Sequence, residues 1–186
     1  MTAIDKARIA ILATDGFEKS ELFEPKRQLE AAGATVTVVS LEKGEIKSWD
    51  KTDWGEAVTV DKTLDEVAVT DFDGLVLPGG QINPDLLRVE EKAVRFVHDF
   101  YNTGKTLAAI CHAPWLLIEA GVIKGRNVTS YSSIKTDVIN AGGKWEDSEV
   151  VCDEALITSR KPGDIDAFVA KIIEEVSEGR HQRAAA

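Results

Sequence analysis

A doubly wound α/β fold, a three-layer sandwich with a mostly parallel central sheet between helices, is predicted from three observations. Short apolar runs typical of buried strands alternate with segments of helical apolar spacing along the 186 residues. The strand 8–13, the helix 21–32 and the strand 35–40 form one βαβ unit, and its two strands are expected to be parallel. No internal repeat or low-complexity linker divides the chain, which favours a single sheet with helices on both faces.

The remaining elements continue this alternation in a single domain of residues 1–186, with a core at about 8–176. Residues 42–63 are irregular, and their short β-like pieces suggest an excursion at one sheet edge. Asp164 is a favourable N-cap for the last helix, and the tail 179–186 is expected to fray. The later predicted elements are strands 72–77, 106–110, 128–130, 150–152 and 155–158, the last two paired, and helices 90–102, 113–120, 134–141 and 165–176.

The composition excludes several classes of function. Lys and Arg number 22 against 32 Asp and Glu, and the formal net charge of −10 is the opposite of a nucleic-acid footprint. The N-terminus has no signal-peptide core, and no apolar run approaches the roughly 20 residues of a membrane span. Two cysteines, Cys111 and Cys152, do not make a disulfide framework. We therefore expect a cytoplasmic protein whose thiols are either packed or reactive.

The strongest local signal is the segment Ala109-Ile110-Cys111-His112-Ala113, at the junction of a predicted strand and helix. It has the small–x–nucleophile–x–small form of a nucleophile elbow, a turn so tight that the residues two before and two after the nucleophile must lack bulk. The helix that follows directs free N–H groups and its positive dipole end at the sulfur, which favours the thiolate. A buried structural cysteine is the alternative, because free Cys is commonly packed in cores.

Loops at the carboxyl ends of neighbouring strands are expected to supply the partners of this thiol. After the first strand, Glu18 can project a carboxyl group towards the sulfur or remain a solvated loop acid. Glu21 is interpreted as a partner of the helix dipole. After a later strand, Gly79 and Gly80 allow backbone N–H groups to turn into the crevice and, with the N–H of His112, to form an oxyanion hole. A plain Gly-Gly turn fits those two glycines equally well.

The other candidate groups carry weaker signals. The side chain of His112 follows the nucleophile directly and either contacts it or lies at the surface. His98 lies within a long helix, His181 lies in the tail, and Cys152 is interpreted as structural. The spacing of these residues predicts no metal site, and no phosphate-binding glycine motif occurs, so no cofactor is expected.

Five segments recognisable as a set follow one another along the chain: Asp15-Gly16-Phe17-Glu18, Leu77-Pro78-Gly79-Gly80, Ala109-Ile110-Cys111-His112-Ala113-Pro114, Thr129-Ser130-Tyr131 and Ser159-Arg160-Lys161-Pro162-Gly163-Asp164. Together they resemble the PfpI-type intracellular proteases of the ThiJ/PfpI superfamily over about residues 8–176. The ordered set is specific, although any one segment is not. The resemblance implies a flavodoxin-like sandwich that forms homodimers, sometimes hexamers, with its site near a subunit interface.

The resemblance also implies roles for individual residues. It implies Cys111 as the nucleophile, Glu18 as the carboxyl partner of its sulfur, and the backbone N–H groups of Gly80 and His112 as oxyanion donors. The histidine would be oriented by an acid from the neighbouring subunit, and Asp85 occupies that position. This chain has Asp at that position, where some members have Glu.

Three functions remain open because each needs the same reactive thiol. The first is a peptidase or amidase, in which Cys111 attacks a carbonyl and His112 protonates the leaving amine. The second is a glyoxalase or deglycase, in which the thiolate adds to methylglyoxal or its adducts and Glu18 moves a proton to give lactate. The third is a redox sensor or chaperone-like dimer in which Cys111 is oxidised under stress. The expected substrate is a small carbonyl compound or a peptide, with no membrane and no bulk nucleic acid as partner.

Overall fold

A computed structural model describes residues 2–182, which contain twelve strands and six α-helices. Most elements match their predicted bounds within two residues. The strands are β1 Arg8–Leu12, β2 Phe17–Glu18, β3 Thr35–Ser40, β4 Gly44–Asp50, β5 Asp53–Val60, β6 Lys62–Thr63, β7 Gly74–Leu77, β8 Thr106–Ile110, β9 Asn127–Val128, β10 Lys144–Trp145, β11 Val150–Asp153 and β12 Leu156–Ser159. The helices are α1 Lys19–Ala31, α2 Ile82–Leu87, α3 Glu91–Asn102, α4 Pro114–Glu119, α5 Lys135–Asn140 and α6 Ile165–Glu178. Short 3₁₀ turns span Ile4–Lys6, Leu64–Glu66, Val69–Asp71, Ser132–Ile134 and Pro162–Asp164.

The central sheet has seven strands in the order β11-β12-β8-β7-β1-β3-β6. All neighbours are parallel except β11, which runs antiparallel to β12 as its predicted pairing suggested. The order reverses beside β1, so that the chain winds first one way and then the other across the sheet. The predicted doubly wound α/β sandwich is therefore confirmed.

Two apolar cores, one on each face of the sheet, account for the layers. Alternate residues of β1 enter opposite cores, with Ile9 and Ile11 facing one and Ala10 and Leu12 the other, because successive side chains of a strand point to opposite faces. Helices α1 and α6 cover the first core, and α3, α4 and α5 cover the second. Both faces being buried explains why the strands read as continuous apolar runs.

The irregular region 42–63 forms more structure than the sequence predicted. Strands β4 and β5 make an antiparallel hairpin, which joins β2 in a separate three-stranded sheet. The rings of Trp49 and Trp54 meet edge to face across this hairpin at 5.6 Å. Only β6 pairs with the main sheet, at its edge, so the predicted excursion is confirmed there and extends as a hairpin beyond it.

In the last segment one prediction is confirmed in part and one is wrong. Asp164 occupies the N-cap position of α6 as predicted, but its side chain makes no capping hydrogen bond, because its carboxylate binds the guanidinium of Arg160 at 2.8 Å. The tail does not fray at residues 179–182, since the backbone N–H of His181 donates to the carbonyl of Gly104 at 2.9 Å. The rest of the predicted tail, residues 183–186, lies outside the described part of the chain. No helix among residues 2–182 is long and apolar enough to cross a membrane.

Candidate active site

The backbone at Cys111 adopts the sharp turn that the sequence predicts. Its φ of 65° lies in the left-handed region, which costs an L-residue on the order of 1–2 kcal/mol. Two neighbours hold this conformation: the N–H of Cys111 donates to the carbonyl of Ser159 at 3.0 Å, and its own carbonyl accepts from the N–H of Tyr131 at 2.8 Å. Ala109 and Ala113 are fully buried on either side, so larger residues would clash there. The elbow is thus built into the sheet.

The thiol opens on a cleft of about 430 Å³ at the carboxyl edge of the parallel strands. Cys111 is 6% exposed, so its sulfur lies at the floor of the cleft, within reach of a small substrate. The hairpin of β4 and β5 contributes Trp49 and Lys51 to the rim. The lining residues are Gly16, Glu18, Glu21, Trp49, Lys51, Gly80, Gln81, Ile82, Cys111, His112, Tyr131 and Pro162.

The carboxyl group that contacts the sulfur is that of Glu21, and the prediction that Glu18 fills this role is wrong. Glu21 is fully buried and its carboxyl group hydrogen-bonds with the thiol. Glu18 is only partly buried on the cleft wall, where it accepts a hydrogen bond from Ser20 at 3.4 Å. Helix α1 begins two residues earlier than predicted, and Glu21 lies on its buried face. The signal was present, because Glu21, Pro25 and Leu29 share one buried helix face at four-residue spacing.

Burial raises the pKa values of both members of this pair. The pKa of Glu21 rises to about 8, first because of burial and then because of repulsion from Glu18. The pKa of the Cys111 thiol is raised by burial and by the nearby Glu21 charge, and lowered by the N–H groups of Gly80 and His112. The expectation of a thiol pKa lowered by the helix alone is therefore wrong. Since Glu21 holds a proton at neutral pH, it presents an O–H donor to the sulfur and not a second negative charge.

The two glycines after β7 have different roles. The N–H of Gly80 hydrogen-bonds to the Cys111 sulfur, as does the N–H of His112, so these two groups face the reacting atom as predicted donors. The N–H of Gly79 instead donates to Oε2 of Glu21 at 2.9 Å. Gly79 therefore positions the carboxyl group of Glu21 and is not part of the predicted oxyanion hole. The other oxygen of Glu21, Oε1, is buried and has no hydrogen-bond partner among residues 2–182.

Asn83 joins the loops that carry these groups, a role that the sequence analysis missed. Its fully buried amide donates to the carbonyls of Pro78 and Gly79 at 2.9 and 3.2 Å and accepts from the N–H of Thr14 at 2.8 Å. The loops after β1 and β7 are therefore fixed to one another. Its sequence signal was weak, because the short helix that carries it also contains the polar Asp85.

The His112 ring bridges the sulfur and a serine. Its Nδ1 lies 3.1 Å from the Cys111 Sγ, and its Nε2 lies 3.1 Å from the Ser133 Oγ. The ring stacks on Tyr131 at 4.8 Å and meets Trp115 edge to face. Burial lowers the pKa of His112, so the ring is neutral at pH 7 and has one donor and one acceptor nitrogen. With Nδ1–H donating to the thiolate, Nε2 accepts from the Ser133 hydroxyl.

Asp85 does not meet His112 within one chain. It lies in the exposed first turn of α2, and the groups in contact with the His112 ring are Cys111, Ser133 and the two aromatic rings. The structure therefore brings together Cys111, His112, Gly80 and Glu21, leaves Glu18 on the cleft wall, and leaves Asp85 at the surface.

Comparisons with known proteins agree with this geometry. The model of the DJ-1/PfpI family matches residues 7–175. Protein/nucleic acid deglycase 2 of Escherichia coli is 47% identical over 163 residues, covering 87% of this chain and 92% of that protein. YraA of Bacillus subtilis, provisionally named a cysteine protease, is 41% identical over 161 residues, covering 87% and 93%. The crystal structure of Drosophila melanogaster DJ-1beta superposes with a TM-score of 0.82 at 32% identity, covering 96% of this chain and 95% of that one. The chain belongs to the DJ-1/PfpI family.

Proposed function

We propose that this protein is a cysteine-dependent deglycase that removes methylglyoxal adducts from amines or guanidines and releases lactate. The observation that carries the proposal is the buried pair of Cys111 and Glu21, a nucleophile in contact with an acid that holds a proton at neutral pH. Adduct removal needs one group to attack carbon and one to move protons between neighbouring atoms. The E. coli relative named above is a deglycase, which supports this reading.

In the first step Cys111 attacks the carbinol carbon of the adduct as its thiolate, which is the minor form at neutral pH because the pKa of the thiol is raised. A C–S bond forms, the C–N bond breaks, and the proton of Glu21 moves to the departing nitrogen. The amine leaves, and a hemithioacetal remains on the sulfur. Glu21 is then a carboxylate next to the remaining C–H bond.

In the second step the Glu21 carboxylate takes the C–H proton and returns it to the adjacent carbon, while the proton of the carbinol hydroxyl moves to the neighbouring ketone oxygen. The intermediate enediolate carries negative charge on oxygen, which the N–H groups of Gly80 and His112 are placed to stabilise. The product is a lactoyl thioester. Water then cleaves the C–S bond to give lactic acid and the thiolate, and the remaining proton of the water restores the Glu21 carboxyl group.

The peptidase reading has less support from the geometry. A cysteine peptidase needs a histidine that can protonate the leaving amine, and such a histidine is normally held by an acid or amide group. Burial lowers the pKa of His112, and its outer nitrogen meets the neutral hydroxyl of Ser133. The sensor reading also uses a thiolate, but it gives no role to a protonated Glu21.

The proposal predicts that the purified protein converts purified methylglyoxal adducts of N-acetylarginine to lactate and free N-acetylarginine. Adducts also lose methylglyoxal spontaneously. The rate of this loss is measured without enzyme in excess aminoguanidine, which traps the released methylglyoxal. The enzymatic rate must exceed this spontaneous rate. We expect Cys111→Ser to show no activity and Cys152→Ser to retain it. If lactate formed no faster than the adduct loses methylglyoxal spontaneously, the protein would convert only free methylglyoxal and would be a glyoxalase. Cleavage of short peptides would favour the peptidase.

A second prediction concerns the group that orients His112. We propose that in a homodimer the carboxylate of Asp85 approaches His112 of the partner; the exposed Leu86 and Val89, at 45% and 78% exposure, provide apolar surface beside it. Asp85→Asn should then lower turnover about tenfold or more and shift the pH profile of turnover. Ser133→Ala removes one hydrogen bond to His112 and should lower turnover about 2- to 10-fold.

Light scattering of each variant shows whether the oligomer is intact, and Glu90→Gln serves as a matched surface control. An unchanged Asp85→Asn profile together with a shifted Ser133→Ala profile would assign the orienting role to Ser133 alone. A monomer in solution would remove Asp85 from the site.

A further inference from the structure

A second cluster of side chains that can act as metal ligands lies at the opposite edge of the sheet from the cleft. Glu175 and Glu178 are three residues apart in the last turn of α6, and His181 follows the helix. The His181 Nε2 lies 3.1 Å from Oε2 of Glu175 and 3.8 Å from Oε2 of Glu178. Among the described residues, these three offer ligand atoms that all lie within 4.8 Å of one another.

Glu175 is the member that most needs a cation. It is only 6% exposed, and within residues 2–182 its buried Oε2 accepts no hydrogen bond, although the His181 nitrogen lies 3.1 Å away. Lys171, one turn earlier, binds Glu174 at 2.8 Å instead. Burying a carboxylate oxygen without a partner is costly, and a cation shared by this oxygen and the imidazole would relieve that cost.

The position of His181 is fixed by the backbone. Its N–H donates to the carbonyl of Gly104, in the turn before β8. Gly104 has a φ of 73°, and a Cβ atom there would clash with the carbonyl oxygen of His181, so the glycine lets the two segments approach closely. The imidazole is therefore held against the end of α6 without any metal.

We propose that Glu175, Glu178 and His181 form a site for a divalent cation of the zinc class. One imidazole nitrogen and two carboxylates are a donor set that zinc accepts, with water completing a tetrahedron. The thiol of Cys152 hydrogen-bonds to Glu175 and so helps to orient its carboxyl group. A bound ion would tie the chain after α6 to its last turn.

The spacing of these residues concealed the site from the sequence analysis. His181 lies in a segment with no apolar pattern, which predicts a free tail. Only the contact with Gly104, 77 positions away in the chain, returns the ring to the helix end.

The test is calorimetric titration of the Cys111→Ser full-length chain with zinc chloride, because Cys111 beside His112 would otherwise bind zinc. We expect one zinc per chain. His181→Asn should weaken binding more than about 100-fold, since even partners of metal ligands account for 10–100-fold. His98→Asn and Glu174→Gln remove a similar ring and a similar charge outside the cluster, and should leave the affinity unchanged.

Thermal unfolding gives an independent readout. Zinc should raise the melting temperature of the Cys111→Ser chain, because a ligand that binds only the folded state stabilises it, and should not raise that of His181→Asn. His181 follows the last helix, so this variant keeps the core intact even if Glu175→Gln does not fold. Absence of zinc binding, or equal binding by His181→Asn, would overturn the proposal.

Discussion

Replacement of Glu21 by glutamine is expected to lower turnover on methylglyoxal adducts about 100- to 10,000-fold, the usual contribution of general acid–base catalysis. Glutamine keeps the size of the side chain, and its amide oxygen can still accept from the N–H of Gly79. It cannot give or take a proton. The alkylation of Cys111 by iodoacetamide should persist, because the N–H groups of Gly80 and His112 still face the sulfur.

The measurement compares turnover with the alkylation rate over pH 5–10. Glu18→Gln is the matched control, because Glu18 lies on the cleft wall without contact to the sulfur and should change turnover by less than tenfold. If Glu18→Gln abolished turnover and Glu21→Gln did not, Glu18 would be the group that transfers the proton, and the proposed mechanism would fail.

The same variant also has an expected effect on stability. The pKa of Glu21 is about 8 in the folded protein and 4.5 in its ordinary environment, so the folded state holds the proton more tightly. Its contribution to stability is full below pH 4.5 and is lost as pH rises through about 8, on the order of 5 kcal/mol in total. Glu21→Gln should remove this decline, which urea unfolding at several pH values would detect.

Gly79→Ala is expected to abolish most activity and to lower the free energy of unfolding by about 1–3 kcal/mol, the usual cost of overpacking. An added Cβ would lie 2.5 Å from Oε2 of Glu21, 2.6 Å from the Cβ of Cys111 and 2.8 Å from the carbonyl oxygen of Ile110. The last two belong to the elbow and the end of β8, which cannot yield easily. The carboxyl group of Glu21 would have to move away from the sulfur.

Turnover and urea unfolding of the variant would be compared with those of Gly163→Ala, where an added Cβ meets nothing within 4 Å. We expect Gly163→Ala to keep both properties. Near-normal turnover of Gly79→Ala would mean that the contact between Glu21 and the thiol is not needed for the reaction.

The sequence predicted the elements and the elbow because both depend on local patterns. Apolar runs define strands, and two alanines around Cys111 define the turn. The identity of the acid was not predictable from such a pattern alone, since Glu18 and Glu21 both line the cleft and only the folded structure shows which of them is fully buried beside the thiol. Contacts between distant segments were also out of reach. Ser133 meets His112 from a different loop, and Asn83 accepts a hydrogen bond from Thr14, 69 residues earlier in the chain.

The amide of Asn83 has a consequence for how the enzyme would work. The side chain of Asn83 connects the turn after β1 to the turn that carries Gly79 and Gly80. These two turns therefore cannot move independently of one another. The reacting groups would move as one rigid body. The entropic cost of ordering these groups would be met when the chain folds. Little of the binding energy of the substrate would then be used to assemble the site.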